Sequence, residues 1–361
     1  MLMFVLRRLG VMVLTALALT FIVFYLTNLP PNLEKLAKSE ASVRMSDEQV
    51  ASWIVNNGFD TPVLSRYGQW IGVLPGWVKV MADGTVRGRC IAKGSDPAAA
   101  ARFCGLLQGT WGISTVFKKP VSETLARGLG QTGWLMLTVM LVMVPSALFL
   151  GVLSGMREGS RTDRVLSTVA IVTTATPEYV SGVIFVALFA SATTGLSPLL
   201  ASMGWIEGRT LFMGTATSAM DDITFWNFTL PVMTIALYGI GYIARMTRAS
   251  MTEVMTAQYI RTARLKGVGF RQVVLRHALR NALIAPFTVI MLQFPWLLNG
   301  VVIVETLFNY KGFGWTLVQA AGNNDIELLL GCSVIAVFVV LVTQLISDVG
   351  YVYLNPRIRL S

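Results

Sequence analysis

Charge is scarce in this sequence. Asp, Glu, Lys and Arg make up 13% of the 361 residues, about half the roughly 25% of an ordinary soluble domain. Histidine occurs once, as His277, and cysteine three times. That poverty excludes the common metal signatures: neither H-E-x-x-H nor C-x-x-C is present, and no metal site is expected. There is no G-x-x-x-x-G-K-[ST] phosphate cradle and no G-x-S-x-G turn for a nucleophile. No pair of catalytic side chains stands out within the apolar stretches. The chain is expected to be no enzyme by itself and to bind no cofactor of its own. Acidic residues are the scarcer sign, 19 against 29 basic, for a net charge of +10. A nucleic-acid partner is a poor reading of that excess, because 15 of the 29 basic residues fall in the short segments expected on the cytoplasmic side.

What the sequence has instead is hydrophobicity, at 54% of residues. It comes in blocks of about 20, the length a helix needs to cross about 30 Å of hydrocarbon. Short alternating strands, the mark of a membrane barrel, are missing. The fold class expected is an all-α polytopic membrane protein. The first span follows Arg7 and Arg8 within residues 1–29; its run is longer than the roughly 7–15 apolar residues of a cleaved signal. Further spans are placed at about 134–155, 165–190, 229–244, 282–304 and 328–349, six in all within a core of residues 134–353. Residues 30–133 are polar, with a loop insertion near 74–105 and a helix start at Ser46-Asp47-Glu48-Gln49. Residues 354–361 form a tail.

The basic residues set an orientation. The N-terminus, 157–164, 245–281 and the tail hold the clustered Lys and Arg, so both termini are expected in the cytoplasm and residues 30–133 outside. Cys90 and Cys104 both lie in that outer region. A disulfide there would close a loop of about 15 residues, worth roughly 3 kcal/mol in the chain-entropy model; the alternative is two free thiols in a flexible insert.

The chain is organised around residues 245–281. They carry eight basic residues and a single acid, Glu253. Helix formers run to Lys266, and Gly267 and Gly269 then break the pattern. The reading is a helix leaving the membrane, a short helix over about 259–266 and a helix returning.

Four stretches resemble the permease subunits of bacterial ATP-binding-cassette importers, in the dipeptide, oligopeptide and nickel branch. YIRTARLKG (259–267) followed by HALRNAL (277–283) is similar to that branch's cytoplasmic signature loop. ETLFNYKGFGW (305–315) looks like its E-T-x-F-x-x-x-G-x-G stretch. YLNPRIR (353–359) resembles its closing D-P-R-x-R. GFDTPVLSRYGQW (58–70) with LQGTWGISTVFKKPVSETL (107–125) resembles its first outer loop. Arg261-Thr262-Ala263 replaces the E-A-A of the general importer signature, which is typical of the peptide branch.

The resemblance implies a multi-pass permease of a bacterial inner membrane that transports peptides or similar solutes. It implies a second homologous permease, expected to differ from this one, two cytoplasmic ATPases that bind ATP and Mg, a periplasmic solute-binding protein, and membrane lipid around the whole. The short helix becomes a coupling helix seated on an ATPase through Tyr259, Arg261, Thr262, Ala263, Arg264, Lys266 and Gly267, with Ala263 giving close approach and Gly267 the turn. Polar residues in or beside the spans are candidates for the pathway: Glu178, Gln293, Asn299 and Glu305. The rivals within this class are nickel, oligosaccharide and opine import. Outside it stand a self-contained channel or secondary transporter, which leaves the short helix unexplained, and a membrane receptor, which lacks a signalling domain.

Overall fold

The computed structural model describes residues 2–81, 84–91 and 96–354, with the backbone alone at 2, 4, 5, 294–296, 298–300 and 351–354. The tail residues Arg357 and Arg359 lie outside the described residues. Four helices are long and apolar enough to cross a membrane: Leu6–Thr27, Val121–Gly155, Phe225–Thr256 and Ile326–Gly350. Two bent pairs pass the same test together, giving up to six spans.

The chain divides into two compact units, Met1–Arg127 with Thr316–Val339, and Gly128–Trp315 with the chain from Val340. In the first unit, α1 (Leu2–Thr27) is followed by three short helices, α2 (Pro30–Glu40), α3 (Asp47–Asn56) and α4 (Val63–Ile71). Their boundaries have local causes. Pro30 opens α2, where its missing N–H costs nothing. Ser46 and Gln49 cap α3 reciprocally, as the sequence motif predicts. Gly72, at φ 95°, ends α4. These helices bury Leu33, Leu36 and Trp70 against Phe24 of α1 and against Ile326 and Leu330 of α15 (Ile326–Leu354). Buried Asp325 accepts from Ser114 Oγ at 2.5 Å and from the Val116 N–H at 3.1 Å, which pins the segment before α5 (Val121–Gly155).

Among the described residues, the stretch read as an insertion holds a small hairpin. β1 (Val78–Val80) and β2 (Val86–Gly88) pair antiparallel, with Lys79 opposite Arg87. Lys79 Nζ reaches the Val55 carbonyl at 2.7 Å and Asp60 at 2.6 Å; that hydrogen bond holds the Asp60 carboxyl below its usual range. Cys90 and Cys104 are disulfide-bonded, with Cα atoms 5.5 Å apart. Replacing both cysteines by alanine is expected to cost up to roughly 3 kcal/mol by the loop-closure argument. The measurement is the protease sensitivity of residues 74–105 in wild type and variant; equal cleavage rates would show that the hairpin does not depend on the crosslink.

The second unit is built on α9 (Phe225–Thr256), which packs on α6 (Arg161–Ala175), α7 (Glu178–Phe189) and α13 (Ile284–Leu307). Leu135, Met143, Ile235, Ile243 and Leu297 are sealed in its core. Gly151 and Gly155 of α5 lie one turn apart and let α9 approach closely: a Cβ on Gly155 would stand 2.6 Å from Met251 Cβ and 2.7 Å from the Arg248 carbonyl. Small residues one turn apart are how helices meet where no water drives them together.

Three placements differ from the sequence reading. The third span is not one helix: α6 and α7 meet at 107°, because Pro177 forces Thr176 into extended backbone and then caps α7. The fourth helix runs from 225 to 256 rather than 229–244, since Thr224 and Asn227 form a capping box at its start. The fifth reaches Leu307 and is preceded by a 49° bend.

Candidate functional site: a short basic helix on an apolar platform

α9 ends at Thr256 and α10 (Gln258–Leu265) begins one residue later, with only Ala257 extended between them. Gly267, at φ 79°, turns the chain after α10, a conformation that disfavours any side chain. The chain then returns through α11 (Phe270–Gln272), a π-helical turn Val273–Ala278 and α12 (Leu279–Ala282). His277 sits in the π-helical turn, half-buried.

The two sides of α10 differ. Ile260 and Ala263 are buried against Met251, Val273, Val274, Ala278 and Ala282. Tyr259, Arg261, Thr262, Arg264, Leu265 and Lys266 are exposed. Among the described residues, Arg261, Arg264 and Lys266 form no ion pair. Leu265 is 82% exposed, the most exposed apolar side chain of α10 and one that no motif singles out. Asn281 Nδ2 donates to Tyr259 Oη at 2.9 Å and ties the returning chain to α10.

Ala263 therefore needs correction. The sequence reading gives it close approach to another protein, but it faces its own chain at 8% exposure. Its small size is required by the platform of Val273, Val274 and Ala278 beneath it.

Beside this platform stands a clamp that no motif announced. Arg248 of α9 grips Asp163 of α6 with two hydrogen bonds, Nε to Oδ1 at 2.5 Å and Nη2 to Oδ2 at 2.8 Å. Ser154 Oγ donates to Oδ1 at 2.6 Å, Ser167 Oγ at 3.1 Å, and the Gly159 N–H to Oδ2 at 2.9 Å. Asp163 is 2% exposed, and these five donors compensate its buried charge. A carboxylate next to Arg164 in a basic loop looks like local charge balance in sequence. Its partner, 85 residues away, is set only by the fold.

The other sequence candidates do not converge. Glu178 lies in the first turn of α7, half-buried at the 107° bend. Gln293 is buried on α13 and its Nε2 has no partner. The Asn299 side chain lies outside the described residues. Glu305, read as a pathway group at the outer face, is fully buried within the second unit. Its carboxyl receives the Thr132 hydroxyl, and the Trp315 N–H at 3.0 Å. Those bonds occupy it inside the unit, which removes it from any surface.

Long apolar helices, two bent helix pairs and a short helix carried between two of them define a polytopic helical membrane protein. The family described as the binding-protein-dependent transport system inner membrane component matches residues 147–360. The di/tripeptide transport system permease protein DppB of Pseudomonas aeruginosa is 29% identical over 99% of each chain. The probable peptide ABC transporter permease protein y4tP of Sinorhizobium fredii is 32% identical over 70% of this chain and 77% of its own. The glutathione transport system permease protein GsiC of Salmonella choleraesuis is 32% identical over 70% and 76%. The chain belongs to the binding-protein-dependent inner membrane components, the permease subunits of ABC importers, and groups with their peptide-type branch.

Proposed function

We propose that this chain is the permease of an ATP-driven importer for peptides or similar solutes, with α10 as its coupling helix. The observation that carries the reading is the two-sided α10: one face is fixed on its own chain, and the other presents an exposed leucine among three cations that form no ion pair among the described residues. A rigid helix of that kind suits a groove with an apolar pocket and an acidic rim in an ATPase. The orientation follows from the positive-inside rule, with α10 and both termini cytoplasmic and residues 30–133 periplasmic. A second permease completes the pathway, two ATPases bind and hydrolyse ATP with Mg, and a periplasmic binding protein delivers the solute. When the ATPases close, α10 moves as a body and tilts α9 and α13 with it, switching access between faces. Glu178 and Gln293 remain the pathway candidates. Both are polar groups on membrane helices, and the bend at Glu178 places it where irregular backbone meets the span.

The test is affinity purification in mild detergent with mass spectrometry of the co-purifying chains. Wild type is expected to bring ATPases and a second permease. Leu265→Asp is expected to lose the ATPases at least tenfold while keeping the second permease and normal membrane insertion. Ala263→Arg is expected to lower stability as well, because its side chain has no room above Val273 and Val274. A chain that purifies alone and conducts solute in liposomes would be a channel or secondary transporter, and the importer reading would fall.

A further inference from the structure

We infer that the first unit holds a binding site for a small zwitterion, an α-amino acid or a dipeptide, in a cavity distinct from the α10 surface. The cavity has a volume of about 210 Å³. Trp53, Trp70 and Trp77 form its aromatic wall, and Arg66, Arg89 and Glu327 line it from α4, from the turn after β2 and from the first turn of α15.

The cations carry the inference. Arg66 is 8% exposed. Its Nη1 donates to Asn28 Oδ1 at 2.9 Å, while its Nε is buried with no partner. The Nε of Arg89 is likewise buried and unpartnered. Among the described residues, neither guanidinium forms an ion pair. Asp60, whose charge Arg66 feels, is engaged by Lys79 at 2.6 Å. A guanidinium stays charged and carries five N–H donors. Arg66 also lies over the Phe59 ring, 5.7 Å from its centroid, but a buried donor left without an acceptor is unfavourable, and a carboxylate meets the planar fork with paired hydrogen bonds.

Glu327 and Glu40 line the cavity with the opposite sign, and Glu327 forms no ion pair among the described residues. A simple anion would be repelled by the two carboxylates, and a simple cation by the two guanidiniums. A molecule with a carboxylate, an ammonium and an apolar body meets both signs, and indole faces attract both its apolar part and its cation. The volume falls below the roughly 300–1,000 Å³ of drug-sized pockets, which limits the ligand to an amino acid or a dipeptide.

The experiment is isothermal titration of the full chain in lipid nanodiscs, without ATPases, so that its result is independent of the coupling reading. The probes are L-alanyl-L-phenylalanine, its N-acetyl derivative and its C-terminal amide. Saturable binding of the free dipeptide is expected, with both blocked forms at least tenfold weaker. Arg66→Gln is at risk of misfolding because its site is buried. Arg89→Gln, half-exposed, is the working variant and is expected to weaken the dipeptide at least tenfold with an unchanged melting temperature. No saturable binding, equal binding of the three probes, or unaltered binding by Arg89→Gln would each overturn the site. Weakening by the amide alone would replace the zwitterion with an anion and overturn the assignment.

Discussion

Arg248→Met should destabilise the second unit by about 3–5 kcal/mol, the cost typical of removing one partner from a buried ion pair. Asp163 would keep its charge with 3% of its side chain exposed and would lose its only ionic partner. The remaining donors, two serine hydroxyls and the Gly159 N–H, satisfy its oxygens without neutralising the charge. The reverse substitution is milder, because the Arg248 side chain is 30% exposed and keeps part of its hydration. Asp163→Asn should therefore cost less than Arg248→Met, and the double variant should recover part of the loss by removing both charges together. Chemical denaturation of all three in the same micelle reads the cycle. Equal losses for the two single variants would mean that the clamp acts by packing and not by charge. Within the proposed mechanism the clamp has a second consequence: it ties the loop before α6 to the stem of α10, so a motion of α10 reaches the broken span α6–α7. Transport should then fall in Asp163→Asn by more than ATPase co-purification does.

What the sequence made legible depended on the range of the cause. The break after Lys266 and the cap at Ser46 arise within a few residues, and each stands in the structure where the pattern put it; the apolar blocks are helical, but the third is broken and the fourth and fifth have other bounds. The facing of Ala263 was not legible. A small residue in a helix of eight fits an outside partner and an inside platform equally well, and the platform is supplied by residues 273–282, folded through a π-helical turn that has no pattern of its own. The bend at Pro177 was marked by its proline, but a proline within an apolar run is also compatible with a kinked continuous span, so the pattern does not give the 107° angle. Leu265 was hidden for the opposite reason. In a chain so rich in leucine, one more is invisible until its neighbours are known to leave it bare.

Glu305 shows the same limit, and its removal is the second large effect expected. In sequence it opens the ETLFNYKGFGW stretch and reads as a charge at the end of a span. In the structure that stretch folds back around it: Thr132 donates its hydroxyl to the carboxyl, the Trp315 N–H donates at 3.0 Å, and the Phe313 N–H reaches Thr132 Oγ1 at 2.8 Å. Glycine is needed at the start of the helix Phe313–Gly322 for this closeness, since a Cβ on Gly314 would stand 2.6 Å from the Val302 Cα. Tyr310, fully buried beside it, donates to Gln131 Oε1 at 2.8 Å, and burial raises its phenol above the usual range. The carboxyl is therefore the hub that fastens the loop after α13 to α5. Glu305→Ala leaves the hydroxyl and the Trp315 N–H without an acceptor, at about 1–3 kcal/mol for each buried orphan, and opens a cavity as well. A loss of about 3–5 kcal/mol is expected, with the loop at 308–315 becoming exchangeable in hydrogen-exchange measurements while α10 stays protected. Glu305→Gln keeps one acceptor oxygen and should lose less than half as much. If Glu305→Ala melts like wild type and the loop stays protected, the loop is held by its aromatic packing. If α10 loses protection together with the loop, the two ends of the second unit open as one cooperative body, and a displacement at α10 would then be felt at this loop.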